Sequence, residues 1–266
     1  MVEGRDTMEE YYQLRPEVTP ERLYSLCLLA SRGEINGEQI RALVHPSALR
    51  VSADQINKNI GFAKKLGLIG EYEGKIKLEV PQDLVKSREK FKMFLLDKFL
   101  NDSAFSEVTR WLLQQDKTLW QDNIANTVAK IKAFERLNKE YLLAYRFWYK
   151  FFGLGLFVDN RLINNPYIFL KNFISQKGYD YGQRVLLHSF ISELVGNFSV
   201  FSECVEHHSV SFSLTLGLVT LHEMGHIRLA YMPDAPHIYS LSYSIPIESH
   251  MQSGVTHFVF LGGRRI

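Results

Sequence analysis

Lys64–Leu78 reads KKLGLIGEYEGKIKL. Gly67 follows an amphipathic run and precedes two short segments, Ile69–Glu71 and Lys75–Leu78, set apart by Tyr72-Glu73-Gly74. Glycine readily takes the left-handed conformation that terminates helices. Alternating apolar and polar residues around a turn suit a hairpin. The stretch is expected to be the end of a helix followed by two strands. Working back from it, helices are predicted over Glu21–Arg32, Gly37–Val44 and Ser52–Gly67, with a short strand at Glu34-Ile35. Thr19-Pro20 supplies a capping hydroxyl and a proline at the first helical position. Leu23, Leu26, Cys27 and Ala30 then recur at helical spacing. Gly33 stops the first helix and Pro46 the second. Leu26, Ile40, Leu43, Ile56, Ile60 and Leu66 are expected to share one core. Three helices and a hairpin form the pattern of a winged helix-turn-helix, whose third helix commonly enters a DNA major groove.

The outward face of that third helix carries the candidate contacts. Lys58, Lys64, Lys65, Lys75 and Lys77 are placed to neutralise phosphates. Gln55 and Asn57 carry amides that can pair with adenine edges. Ser52 is placed to cap the helix, since a hydroxyl there accepts from a free backbone N–H, and is counted with the candidate DNA contacts. The expected partner is duplex DNA. The formal net charge is only +2 over 266 residues, so a nucleic-acid surface has to be a local patch.

A hydrophobic content of 46% is that of a well-packed globular chain. The two cysteines, Cys27 and Cys204, sit in apolar helical patterns and are read as buried thiols of a reducing cytoplasm. No signal-peptide core is seen at the start, and no run nears the roughly 20 apolar residues that span a bilayer. The expected location is cytoplasmic, with no membrane partner.

The expected fold class is mainly α with small β wings: winged helix-turn-helix modules joined by a helical middle segment. The boundaries read as 1–19 flexible lead, 20–86 first module, 87–165 helical middle and 166–266 second winged-helix-like domain. In the middle segment, the aromatic run Tyr145–Phe152 is expected as core. Helix is predicted over Tyr181–Leu194, Val200–Val205 and Val210–Glu223. Gly225 is expected to stop the last of these, and His226–Met232 to pair with His237–Tyr243 across the turn Pro233-Asp234-Ala235-Pro236. His207, His208 and Ser211, just before that helix, are candidate DNA contacts; the histidine pair also invites a metal reading. No Gly-rich phosphate loop is present: Gly153-Leu154-Gly155 lacks a further glycine and a strand–helix setting.

His222-Glu223-Met224-Gly225-His226 spells HExxH. In zinc hydrolases this motif aims two histidines at one ion from one helical face, and the glutamate acts on a bound water. The alternative function is therefore a zinc-dependent metallopeptidase, with Glu223 as base, His222 and His226 as ligands and Glu248 or His250 as the third. The motif resembles the HELGH helix of small bacterial metallopeptidases linked to phage-repressor cleavage. Against it stands Gly225. A helix ending there takes His226 off the face of His222, and the leading expectation is no catalytic residue, no metal and no cofactor.

The segments Arg22–Leu29, Gly67–Leu78, Phe152–Pro166 and Leu218–Leu241 together resemble a family of bacterial phage-defence proteins, the DpdG-like proteins. The resemblance implies a non-enzymatic subunit that senses DNA or acts as a scaffold beside larger nuclease and helicase partners. A protein-docking scaffold without DNA contact is a further alternative, since winged helices also bind proteins through the same face.

Overall fold

The computed structural model describes residues 14–33, 35–44, 53–116, 139–158, 161–247 and 250–262. Ser52, Glu248 and the helix expected around Ile124–Phe134 lie outside them. The chain divides into two compact units, Met1–Asp102 with Leu137–Phe151, and Ser103–Arg136 with Phe152–Ile266. The stretch 87–165, expected as a middle domain, is thus shared between the two.

The first unit opens with α1 (Pro20–Ala30), where Thr19 accepts from Arg22 N–H and Leu23, Leu26, Cys27 and Ala30 are buried. Strand β1 (Ile35–Asn36) leads directly into α2 (Gly37–Val44). Asn36 Oδ1 accepts from Gln39 N–H at 2.8 Å, and Gln39 Oε1 accepts from Asn36 N–H at 3.1 Å. This reciprocal capping box satisfies two donors that a helix start leaves open. Helix α3 (Ala53–Lys65) and the strands β2 (Ile69–Tyr72) and β3 (Lys75–Leu78) follow. The sheet order is β1-β3-β2, antiparallel throughout. Leu26, Ile40, Ile56 and Leu66 are buried as expected; Ile60 is half-buried, and the Leu43 side chain lies outside the described set. Residues 14–19, expected in the flexible lead, are held: Leu14 and Val18 are buried.

Helices α4 (Gln82–Lys86), α5 (Arg88–Leu100) and α7 (Lys139–Phe152) complete this unit's core; α6 (Ser103–Gln114) belongs to the second unit. The Trp148 ring lies 4.4 Å from Phe99 and 6.0 Å from Phe62, centroid to centroid. Tyr145, Trp148, Tyr149, Phe151 and Phe152 are buried, as expected of the aromatic run, but Phe147 within it is exposed.

The second unit contains α6 (Ser103–Gln114), the hairpin β4 (Leu156–Val158) and β5 (Arg161–Ile163), α8 (Tyr167–Gln176), β6 (Arg184–Leu186) and α9 (Leu187–Asn197). A 3-10 helix (Ser199–Cys204) leads to β7 (Val205–Glu206) and β8 (Ser209–Val210), then α10 (Phe212–Glu223). Strands β9 (Ile227–Ala230), β10 (Tyr239–Ile247), β11 (His250–Val255) and β12 (His257–Phe260) close the chain. Sheet β6-β12-β9 is antiparallel. Sheet β11-β10-β8-β7 is mixed, because β10 runs parallel to β8 at Ser240 and Ser209.

These sheets overturn the mainly α expectation. Among the described residues helix accounts for 52% and strand for 22%, in four sheets, one of them four-stranded and mixed, which makes the fold mixed α/β. Two features escaped the sequence pattern. Arg184–Leu186, expected as helix, is a strand, because pairing of Val185 with Phe258 outweighs its local preference. The partner of β9 is β12, paired from Ala230 and His257 to Ile227 and Phe260, not His237–Tyr243. Alternation marks a strand and its inward face but names no partner.

Candidate functional site

Helix α3 presents Asp54, Asn57, Gly61 and Lys65 to solvent along one side, while Ile56, Asn59, Phe62 and Ala63 turn inward. That spacing of three to four is one helical face. Next to it in sequence the β2–β3 hairpin exposes Lys75 and Lys77. Lys77 lies 5.6 Å from the centre of the Tyr72 ring. Gln55 is half-buried, and its carbonyl accepts from Asn59 Nδ2 at 2.7 Å.

Two of the expected phosphate contacts are already neutralised. Lys58 Nζ lies 2.9 Å from Asp54 and 3.0 Å from Glu17. Hydrogen bonds to Asp54 and then Glu17 raise the Lys58 pKa, and the Lys58 bond lowers that of Glu17. Lys64 pairs with Glu71. Glu73 and Glu79 are exposed on the same hairpin, so the patch is mixed in charge; Lys65, Lys75 and Lys77 are its exposed lysines.

The corresponding helix of the second unit is different. Of α10 only Glu223 is exposed. Ser213, Leu214, Thr215, Gly217, Leu218, Val219 and Leu221 are buried. Asn165 Nδ2 donates to Thr220 Oγ1 at 2.9 Å, and Ser242 N–H donates to Thr215 Oγ1 at 3.1 Å. A helix covered in this way has no face left for a groove. Ser211, expected at DNA, caps α10 by accepting from Leu214 N–H and donates to Leu113 O at 3.4 Å.

In HEMGH the helix ends at Glu223, with Met224 as cap and Gly225 at φ 71°. Gly225 N–H bonds His222 O and His226 N–H bonds Leu221 O, both at 3.0 Å. This is a Schellman stop. His226 is past the helix, and His222 Nδ1 accepts from Leu229 N–H at 3.4 Å. The two histidines do not share the helical face that a zinc peptidase requires. Burial lowers the pKa of His226, with Lys171 adding to the effect.

His207 and His208 form the two-residue turn between β7 and β8, at φ 47° and 64°. They part company there. His207 is exposed, 3.6 Å from Glu206. His208 meets His237, with Nε2 and Nδ1 3.3 Å apart. The His237 ring stacks on His188 at 4.1 Å between centroids and 17° between planes. One nitrogen from each of His188, His208 and His237 lies within 4.8 Å of the others. The Tyr239 hydroxyl is 2.9 Å from Nδ1 of His188. His188 and His237 escaped the sequence reading because they lie far apart in the chain and in no motif.

Both cysteines are buried. Burial pushes Cys27 up to about 12 and Cys204 up to about 11, which leaves little thiolate for nucleophilic chemistry. Among the described residues no helix is long and apolar enough to cross a membrane. No protein-family model, curated protein or solved structure matches the chain.

Proposed function

We propose that the protein is a DNA-binding or DNA-sensing subunit that works through a winged helix-turn-helix in its first unit, with a second, modified winged helix serving as scaffold. The observation that carries this reading is the open polar face of α3 beside the exposed Lys75 and Lys77, against the covered α10. The element order helix, strand, helix, helix, strand, strand with sheet order β1-β3-β2 supports it. Lys65, Lys75 and Lys77 contact phosphates in this reading, and Asn57 reaches base edges. The larger nuclease and helicase partners implied by the DpdG-like resemblance belong to the same proposal.

The test is a duplex-DNA titration across salt concentrations. Each lysine that neutralises a phosphate contributes about 0.9 to the log–log salt slope. Lys65→Ala with Lys75→Ala and Lys77→Ala is expected to weaken binding and flatten that slope. Binding with an unchanged slope removes this surface from the contact. No duplex binding at all favours protein docking by the same face, a second reading that the interleaved Glu71, Glu73 and Glu79 support.

A further inference from the structure

We propose that His188, His208 and His237 bind one divalent transition-metal ion of the zinc class, at a place separate from both HEMGH and the DNA face. The three imidazoles come from three elements: the first turn of α9, the β7–β8 turn and the segment leading into β10. Only the folded second unit brings them together.

The spacing suits one ion. Nitrogens bound to zinc at about 2.0–2.1 Å in a tetrahedron stand roughly 3.3 Å from one another. His208 Nε2 and His237 Nδ1 are 3.3 Å apart. The His188 ring has a nitrogen within 4.8 Å of both; it stacks on His237 at 4.1 Å, so binding requires His188 to tilt out of that stack for its lone pair to face the ion. The Tyr239 hydroxyl at Nδ1 of His188 leaves Nε2 as that ring's ligand atom. A hydrogen-bonding partner on the other ring nitrogen is the usual orienting device for a metal-bound histidine.

The donor set selects the metal. Imidazoles suit zinc, copper, nickel and cobalt, whereas calcium and magnesium take oxygen ligands. The cluster of three contains no carboxylate. Three ligands leave a fourth position for water, and His208 is exposed to solvent.

The backbone adds an independent sign. A two-residue hairpin turn with both φ values positive favours Asn-Gly or Asp-Gly. The β2–β3 turn fills the equivalent places with Glu73-Gly74, at 52° and 74°. The β7–β8 turn holds two histidines there. Left-handed backbone at a non-glycine residue stores strain, and such residues collect at ligand sites. The turn aims the His208 ring at His237 and holds its carbonyl to Ser240 N–H at 2.8 Å. An ion would therefore tie the β7–β8 turn and the start of β10 to the start of α9.

The test uses the full chain purified without a polyhistidine tag, stripped with chelator and titrated with zinc, then with cobalt as a spectroscopic probe. Expected are one saturable equivalent, the visible absorption of tetrahedral cobalt and a zinc-dependent rise in melting temperature that chelator reverses. His237→Gln and His188→Gln should each abolish the equivalent. Tyr239→Phe, which keeps the ring in place, should weaken it by about tenfold or more. His207→Ala and His222→Gln should leave it intact. No saturable zinc binding by the wild-type chain overturns the proposal. So does an equivalent that survives His237→Gln or disappears with His222→Gln.

Discussion

The two units build the same series of elements and use it differently. In the first, α1, β1, α2, α3, β2 and β3 follow one another with a two-residue turn between the last pair. In the second, α8, β6, α9, α10, β9 and β12 occupy matching places, and the sheet order β6-β12-β9 repeats β1-β3-β2. Even the helix stop is shared. Gly67 N–H bonds Lys64 O and Leu68 N–H bonds Ala63 O, as Gly225 and His226 do with His222 and Leu221. Among the described residues the difference is two added hairpins, β7–β8 between the second and third helices and β10–β11 between the last two strands of the series. They pair with each other through β8 and β10. The inserted sheet lies on α10 and brings His208 and His237 together. A helix that is left open in one unit is buried in the other by added strands, not by a change in its own register.

The shared stop should respond alike in both units. Gly67 and Gly225 sit at φ 63° and 71° with open space where a Cβ would go. Only backbone strain opposes alanine, at roughly 1–2 kcal/mol in the left-handed region. Gly67→Ala and Gly225→Ala should each lose about that much in denaturant unfolding. A loss at one and none at the other means that the two stops are not equivalent.

Next come the glycines inside the two third helices, where the difference should reverse a sign. A Cβ added at Gly61 would find nothing within 4 Å, whereas one at Gly217 would meet Leu170 Cδ1 at 2.8 Å and Pro166 Cγ at 3.1 Å. Alanine is favoured over glycine in an open helix by about 1 kcal/mol, so Gly61→Ala should stabilise. Overpacking costs about 1–3 kcal/mol, so Gly217→Ala should destabilise. Stabilisation by both variants means that Leu170 and Pro166 yield to a methyl at Gly217.

The smallest effect lies at the residue after each stop. Leu68 is buried and cannot titrate, while burial and Lys171 hold His226 below the ordinary imidazole value of 6.5. The unfolded chain then takes up that proton at a higher pH than the folded one. Stability attributable to neutral His226 is complete above the unfolded value and falls as pH drops from there towards the lower folded value. His226→Leu should flatten that part of the pH–stability curve. An unchanged curve assigns the acid loss to other groups.

Local chemistry was readable from the sequence wherever neighbours in the chain decide structure. Thr19-Pro20, Gly67, Gly225 and the Glu73-Gly74 turn all act within a few residues, and their elements lie where the pattern put them. Ile227–Ala230 was readable as a strand, but its pairing with His257–Phe260 depends on residues far along the chain. The same limit hid Arg184–Leu186 as a strand. It also hid the histidine cluster, since His188 and His237 acquire a common position only through the inserted sheet. Lys58 illustrates the converse: its place on α3 was plain, but its partner Glu17 lies on the segment leading to α1.

The placement of the β10–β11 hairpin also bears on how quickly each unit can assemble. Tyr72 finds Lys75 across a two-residue turn, whereas Ala230 must find His257 after the whole inserted hairpin. Each doubling of a flexible loop adds about 0.6 kcal/mol of closure entropy, and distant pairings slow folding more than local ones. The hairpin shortens the effective loop only once it has formed itself. The β2–β3 hairpin can therefore close as soon as its own residues are made, while β9 lacks its β12 partner until His257–Phe260 have followed.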